Sequence, residues 1–220
     1  MATINEAIQV YWLHRSIAFR TELNNLFKKH HHPKTITHNM AIDIFEGDHQ
    51  SRLPYEISIK YSETIKFLSK ALRSSVLMTY SYSDFEDLYD SVKRCLHSVP
   101  GVGSLTYYDI ALRIGFIRER QILPQKKVYL SHGALKGANN LRKSMPTLFS
   151  PLPSNLLNRK GELKEYAYDI SIFDPALQEM TSPFLEDFFC VFDRELIKLP
   201  SLTYQQLQKA EYFYDRCIHI

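Results

Sequence analysis

Cysteine is scarce in this chain: three thiols (Cys95, Cys190, Cys217) in 220 residues, odd in number and widely scattered. That spacing excludes a disulfide framework and a Cys-based metal set, including the four-thiolate cluster of iron–sulfur chemistry, and it suits buried thiols in a reducing compartment. No apolar run approaches the ~20 residues needed to span a membrane. The opening MATINEAIQVYWLHRS lacks a basic start followed by a continuous apolar block, so no signal peptide and a cytoplasmic protein are expected. Glycine is also rare, at seven residues. The run His30-His31-His32 invites a metal reading, but consecutive loop side chains diverge and no second ligand cluster follows, so a solvated basic loop and no metal or cofactor are expected.

What is present is apolar periodicity of helical spacing. Residues 5–29 read as a long helix with Ile8, Trp12, Phe19, Leu23, Leu26 and Phe27 on one stripe. Residues 35–53, with a Gly47-Asp48 turn, leave helix and strand both open. Ser62 reads as the N-cap of a helix bearing Ile65, Leu68, Leu72 and Val76. Residues 122–130 read as an extended or turning connection, and Ser131 or His132 starts a helix whose Gly133, Ala134, Gly137 and Ala138 ridge lets a neighbouring helix, or a nucleic-acid backbone, come close, with helix packing the preferred reading. Residues 166–173 alternate weakly, as strand or helix. Ser182-Pro183 opens a helix with Leu185, Phe188, Phe189, Phe192 and Leu196 inward. Thr203 and Gln206 form a capping box before a last stripe of Leu207, Ala210, Phe213 and Cys217. The expected fold is all-α, over residues 1–220, as one helical domain or two helical halves with a cleft between them.

The centre of this reading is residues 84–117. Ser83 and Glu86 make a capping box, and Phe85, Leu88, Val92, Cys95, Leu96 and Val99 give the first helix its apolar face. Pro100 and Gly101 end it, and a second helix begins near Ser104 with Ile110, Ala111 and Ile114 inward. Gly101 and Gly103 let the backbone turn and approach another molecule, with Val102 plugging the core. The amides at Gly101, Gly103 and Ser104, at the positive end of a helix, favour a phosphate. Residues 113–143 then hold eight Lys or Arg and one acid, Glu119, in a chain of net charge only +3. Such a segment beside an amide-rich turn suggests nucleic acid.

Val99-Pro100-Gly101-Val102-Gly103, followed by a small-residue helix, resembles the helix-hairpin-helix motif of non-sequence-specific DNA binders. Across residues 83–130 the chain resembles the helix-hairpin-helix DNA glycosylases, the superfamily of endonuclease III and the bacterial 3-methyladenine glycosylases. That resemblance implies DNA as partner, gripped through Gly101, Val102, Gly103, Ser104, Thr106, Arg113, Lys126, Lys127 and Lys136. It implies no cofactor, and base flipping against aromatic side chains, for which Tyr107, Tyr108 and Tyr129 are candidates. The family's catalytic aspartate falls on Gln125, and the lysine of its strand-cutting members falls on Leu105. Leucine cannot form a Schiff base, so a lyase is not expected. A glycosylase needs a carboxylate near its cationic sugar, and Asp109 is the nearest candidate, with Asp169, Asp174 and Asp187 further off. As a plain helix residue, Asp109 would instead pair with Arg113 four positions on. Three readings stay open: a monofunctional glycosylase of atypical active site, a DNA binder without chemistry, and a helical protein-interaction module.

Overall fold

The structure, a computed structural model, describes residues 2–46 and 55–209. It is predominantly α-helical, with one two-stranded sheet. The chain divides into two compact units, Met1–Phe19 with Gln125–Ile220, and Arg20–Pro124. The Gly47-Asp48 turn and the Ala210, Phe213 and Cys217 stripe lie outside the described residues.

The discontinuous unit opens with α1 (Ile4–Val10), started by a capping box between Thr3 and Glu6. One π-helical turn, Tyr11–Arg15, leads into α2 (Ser16–His30), so the expected N-terminal helix is three helical segments in series. Tyr11 is fully buried and donates to Asp187 Oδ2 at 2.8 Å. Strands β1 (Lys127–Leu130) and β2 (Tyr166–Asp169) pair antiparallel, with Val128 opposite Tyr168 and Lys127 opposite Asp169. The predominantly α expectation holds, with these two strands added to it: the extended 122–130 and the weak alternation at 166–173 hinted at them, but each is four residues long and its pairing partner is distant in sequence. Between them run α7 (His132–Ser144), capped at Ser131, and two 3-10 turns.

After β2, α8 (Pro175–Gln178) and α9 (Ser182–Val191) follow, the latter with proline in its first turn, where the missing amide costs nothing. Leu185, Phe188, Phe189, Phe192 and Leu196 are all buried as their spacing implies, in a core with Val128, Leu141, Tyr168 and Phe173. Helix α7 packs on α9 at very short range: a Cβ on Gly137 would stand 1.9 Å from the Phe189 carbonyl oxygen. The small-residue ridge is therefore a packing device. Thr203 and Gln206 exchange both bonds of a capping box ahead of helical residues 204–209.

The continuous unit is built from the end of α2, α3 (His38–Glu46), α4 (Tyr55–Arg73), α5 (Phe85–Leu96) and α6 (Ser104–Ile117). Residues 38–46 resolve the open choice as helix, with Met40, Ala41 and Ile44 buried. Helix α4 begins seven residues before the expected Ser62 cap. The cap of α5 is Asp84, whose side chain accepts from the Asp87 amide at 2.9 Å, and not the Ser83–Glu86 box. An aspartate carboxylate is a stronger acceptor for these amides than a serine hydroxyl. Helix α5 packs against α4 and α6, burying Leu88, Val92, Leu96, Ile110, Ala111 and Ile114.

Candidate nucleic-acid interface

Residues 97–103 join α5 to α6 within one unit. Val102 donates its amide to the Val99 carbonyl at 3.4 Å, closing a four-residue turn with Pro100 and Gly101 in the middle. Gly101 has φ +79°, the left-handed value a type II turn demands at its third residue, where a side chain is strained. From below, Thr64 on α4 donates its hydroxyl to the Pro100 carbonyl at 3.1 Å. From above, Tyr107 donates its hydroxyl to the Val102 carbonyl at 3.2 Å. The turn is thus clamped by both neighbouring helices.

Gly103 is different. It is the N-cap of α6 in an extended conformation, φ −125° and ψ −171°, which any residue adopts, and a Cβ added there meets nothing within 4 Å. Serine, threonine, aspartate or asparagine is the residue type that stabilises an N-cap, by accepting from the amides of the first turn. Here no side chain does so. Among the described residues nothing in the chain accepts from the amides of Gly101, Gly103, Leu105 and Thr106. Gly101 and Gly103 are exposed, while Val102, Ser104 and Thr106 are half-buried.

Several expected contacts are corrected. Arg113 is 5% exposed; its guanidinium donates to Glu22 Oε1 at 2.7 Å and to the Ile44 carbonyl at 3.1 Å, so it holds α6 to α2 and α3 and faces no solvent. Tyr107 and Tyr108 lie at 9% and 2% exposure, Tyr108 edge-on to Phe85, and Tyr129 is buried on β1. All three are core residues, since the faces of α6 and β1 that carry them point inward. The basic segment is also dismantled by tertiary pairing. Lys136 is paired with Asp193 and Lys143 with Glu162, each with about half its side chain exposed. Lys126 and Lys127 sit by Asp169, whose carboxyl is held below its ordinary value by the Ser171 side-chain and backbone hydrogen bonds and then by these lysines. Arg118 is spent on the carbonyls of Leu77 and Tyr80. The unit boundary cuts the segment too, leaving Arg113 with the turn, and Gln125, Lys126, Lys127, Tyr129 and Lys136 in the other unit.

Asp109 lies half-buried on α6, in the same unit as the turn, while Gln125 is exposed at the start of a segment of the other. The more distant carboxylates serve the fold: Asp169 and Asp174 accept from backbone amides two residues on, and Asp187 accepts from Tyr11. Neither a family model, nor a curated protein, nor a solved structure matches the chain.

Two basic residues near the turn escaped the sequence reading. Lys93 and Arg94 are exposed in the last turn of α5, and no Asp or Glu occurs between residues 91 and 108. Their signal was local: two cations just before Pro-Gly, overshadowed by the longer basic run downstream. The histidine run is likewise not a free loop. His30 ends α2, its Nε2 lies 2.5 Å from Asp43 Oδ2, and Lys29 reaches the same carboxylate at 2.7 Å. Among the described residues no group of three or more His, Cys, Asp or Glu is placed to hold a metal ion, and no helix is long and apolar enough to cross a membrane.

Proposed function

We propose that the chain binds DNA through the sugar-phosphate backbone, with the α5–turn–α6 element acting as a helix-hairpin-helix. The observation that carries this reading is Gly103. Neither its backbone conformation nor its surroundings require glycine, and a capping side chain would stabilise α6. A missing Cβ and open amides at that point suit close approach by an external anion, and a phosphate is the simplest match. Lys93 and Arg94 supply positive charge on the adjoining helix end. Backbone contacts of this kind read no bases, so binding is expected to be independent of sequence.

The test is binding to unrelated duplexes across a salt series, with Gly103→Asp as the variant. The aspartate is a good N-cap, so the fold holds while its carboxylate fills the amides and repels phosphate. Wild-type affinity is expected to fall with a log–log slope of about −0.9 per phosphate neutralised, and the variant to lose at least about tenfold. No binding at low salt, or equal binding by the variant, overturns the proposal.

Excision of a base is the more demanding form of the same reading. It requires a carboxylate within reach of the sugar, and of Asp109, Asp169, Asp174 and Asp187 only Asp109 shares a unit with the turn. Alkali-labile sites in modified DNA that disappear with Asp109→Asn would support it. Their absence leaves a binder without chemistry, which is the reading that the turn alone supports.

A further inference from the structure

The continuous unit also holds a cavity of about 520 Å³, where the C-terminal end of α4, the joint after it and the C-terminal half of α5 come together. That volume lies in the range of ~300–1,000 Å³ that small-molecule sites occupy. Its lining is unusual in kind. Tyr80 and Tyr82 contribute rings with centroids 5.0 Å apart, and Tyr80 is 52% exposed, an uncommon place for an aromatic that only fills a core. Arg94 supplies the single formal charge, and no acid lines the cavity. Where Arg113, Lys136 and Lys143 each have a carboxylate, Arg94 has none among the described residues and donates only to the Ser91 hydroxyl, at 2.8 Å. Ser74 already donates to carbonyls of its own helix, so it offers acceptor lone pairs to a ligand's donors, while Ser75 donates to the Leu72 carbonyl and also accepts from the Leu77 amide.

The tyrosine wall is held in place before any ligand arrives. Arg118 lies 4.9 Å from the Tyr82 ring centroid and donates to the carbonyls of Leu77 and Tyr80, fixing both ends of the joint. The Cys95 thiol at the cavity wall is pushed up by burial, with a Ser75 hydrogen bond opposing, and donates to the Ala71 carbonyl. It is a neutral wall at pH 7 and no nucleophile.

We infer that this cavity binds a nucleoside monophosphate unit, its base against Tyr80 and Tyr82, its phosphate on Arg94, and its hydroxyl or amino donors toward the serines. The flat ring, one anionic group and several donors are what this lining complements together. The inference does not rest on the turn at residues 99–103 binding DNA. The same chemistry has two sources, a free mononucleotide or a nucleotide unstacked from a strand.

Calorimetric titration with the ribo- and deoxyribonucleoside monophosphates separates the possibilities, with unphosphorylated nucleosides and inorganic phosphate as controls. A second arm follows 2-aminopurine fluorescence in a single strand. At least one monophosphate is expected to bind with Kd below about 1 mM and better than its nucleoside. Arg94→Ala should weaken it by roughly tenfold or more and Tyr80→Ala by roughly fivefold or more. Both side chains are exposed, so the fold should survive, which circular dichroism confirms. If only the strand responds, and both cavity variants abolish that response, the source is the strand. No response in either arm, or binding indifferent to both cavity variants, overturns the inference.

Discussion

Glycines at two helix junctions in this chain answer to opposite constraints. On α7, Gly137 and Gly133 face α9 so closely that a Cβ would stand 1.9 Å from the Phe189 carbonyl and 2.7 Å from Cys190 Sγ. In the turn before α6, Gly101 is required by its φ of +79°, but Gly103 is required by nothing among the described residues. A glycine demanded by packing reports on the fold, whereas one that packing ignores reports on access from outside. Helix α6 repeats the contrast along its own length: Arg113 is locked to Glu22 and the Ile44 carbonyl, and the N-terminal end is open.

Breaking the locked side should have the largest effect. Arg113→Ala leaves Glu22 partly buried without its cation, a loss of about 3–5 kcal/mol, or a Tm lower by roughly 6–20 °C. Under conditions where the variant is folded, its DNA affinity should match wild type, because Arg113 does not reach solvent. A selective loss of binding without a fall in Tm would return Arg113 to the interface. Gly137→Ala comes next, at about 1–3 kcal/mol, because the obstacle is backbone and cannot swing aside. An unshifted melt would mean that α7 and α9 are further apart than described. Gly101→Ala should cost about 1–2 kcal/mol from the left-handed conformation alone. Gly103→Asp should be stability-neutral or stabilising by up to about 1 kcal/mol, while lowering the proposed DNA affinity at least about tenfold. Should it melt early, Gly103 belongs with the packing glycines and the contrast fails.

Which parts were legible in the sequence follows from how far each signal travels along the chain. The α5–turn–α6 element was readable because apolar spacing, Pro100 and Gly101 all lie within one local stretch. The α9 face, from Leu185 to Leu196, was readable for the same reason. The fate of the basic segment was not. Arg113 finds Glu22 ninety-one residues away, and Lys136 finds Asp193 fifty-seven away, so charges adjacent in sequence are cancelled by acids that are not. The pairing of the two strands was hidden likewise, since β1 and β2 are short and meet only through tertiary structure. Tyr107 and Tyr108 looked available because α6 is apolar nearly all round, and such a helix gives no pattern by which to tell its faces apart.

The cations at the end of α2 extend the contrast to charge, and they give its gentlest test. Burial raises the Asp43 carboxyl, but hydrogen bonds from Lys29 and His30 outweigh burial, so its pKa in the folded state lies below the ordinary 3.8. A carboxyl depressed on folding contributes stability that is fully present above its unfolded pKa and is lost as pH falls through the folded one. Asp43→Asn should therefore lower Tm at neutral pH, and the gap from wild type should hold down to about pH 5 and then close on further acidification. A gap that stayed constant through the acid limb would mean that the substitution costs packing and not an ionic partner.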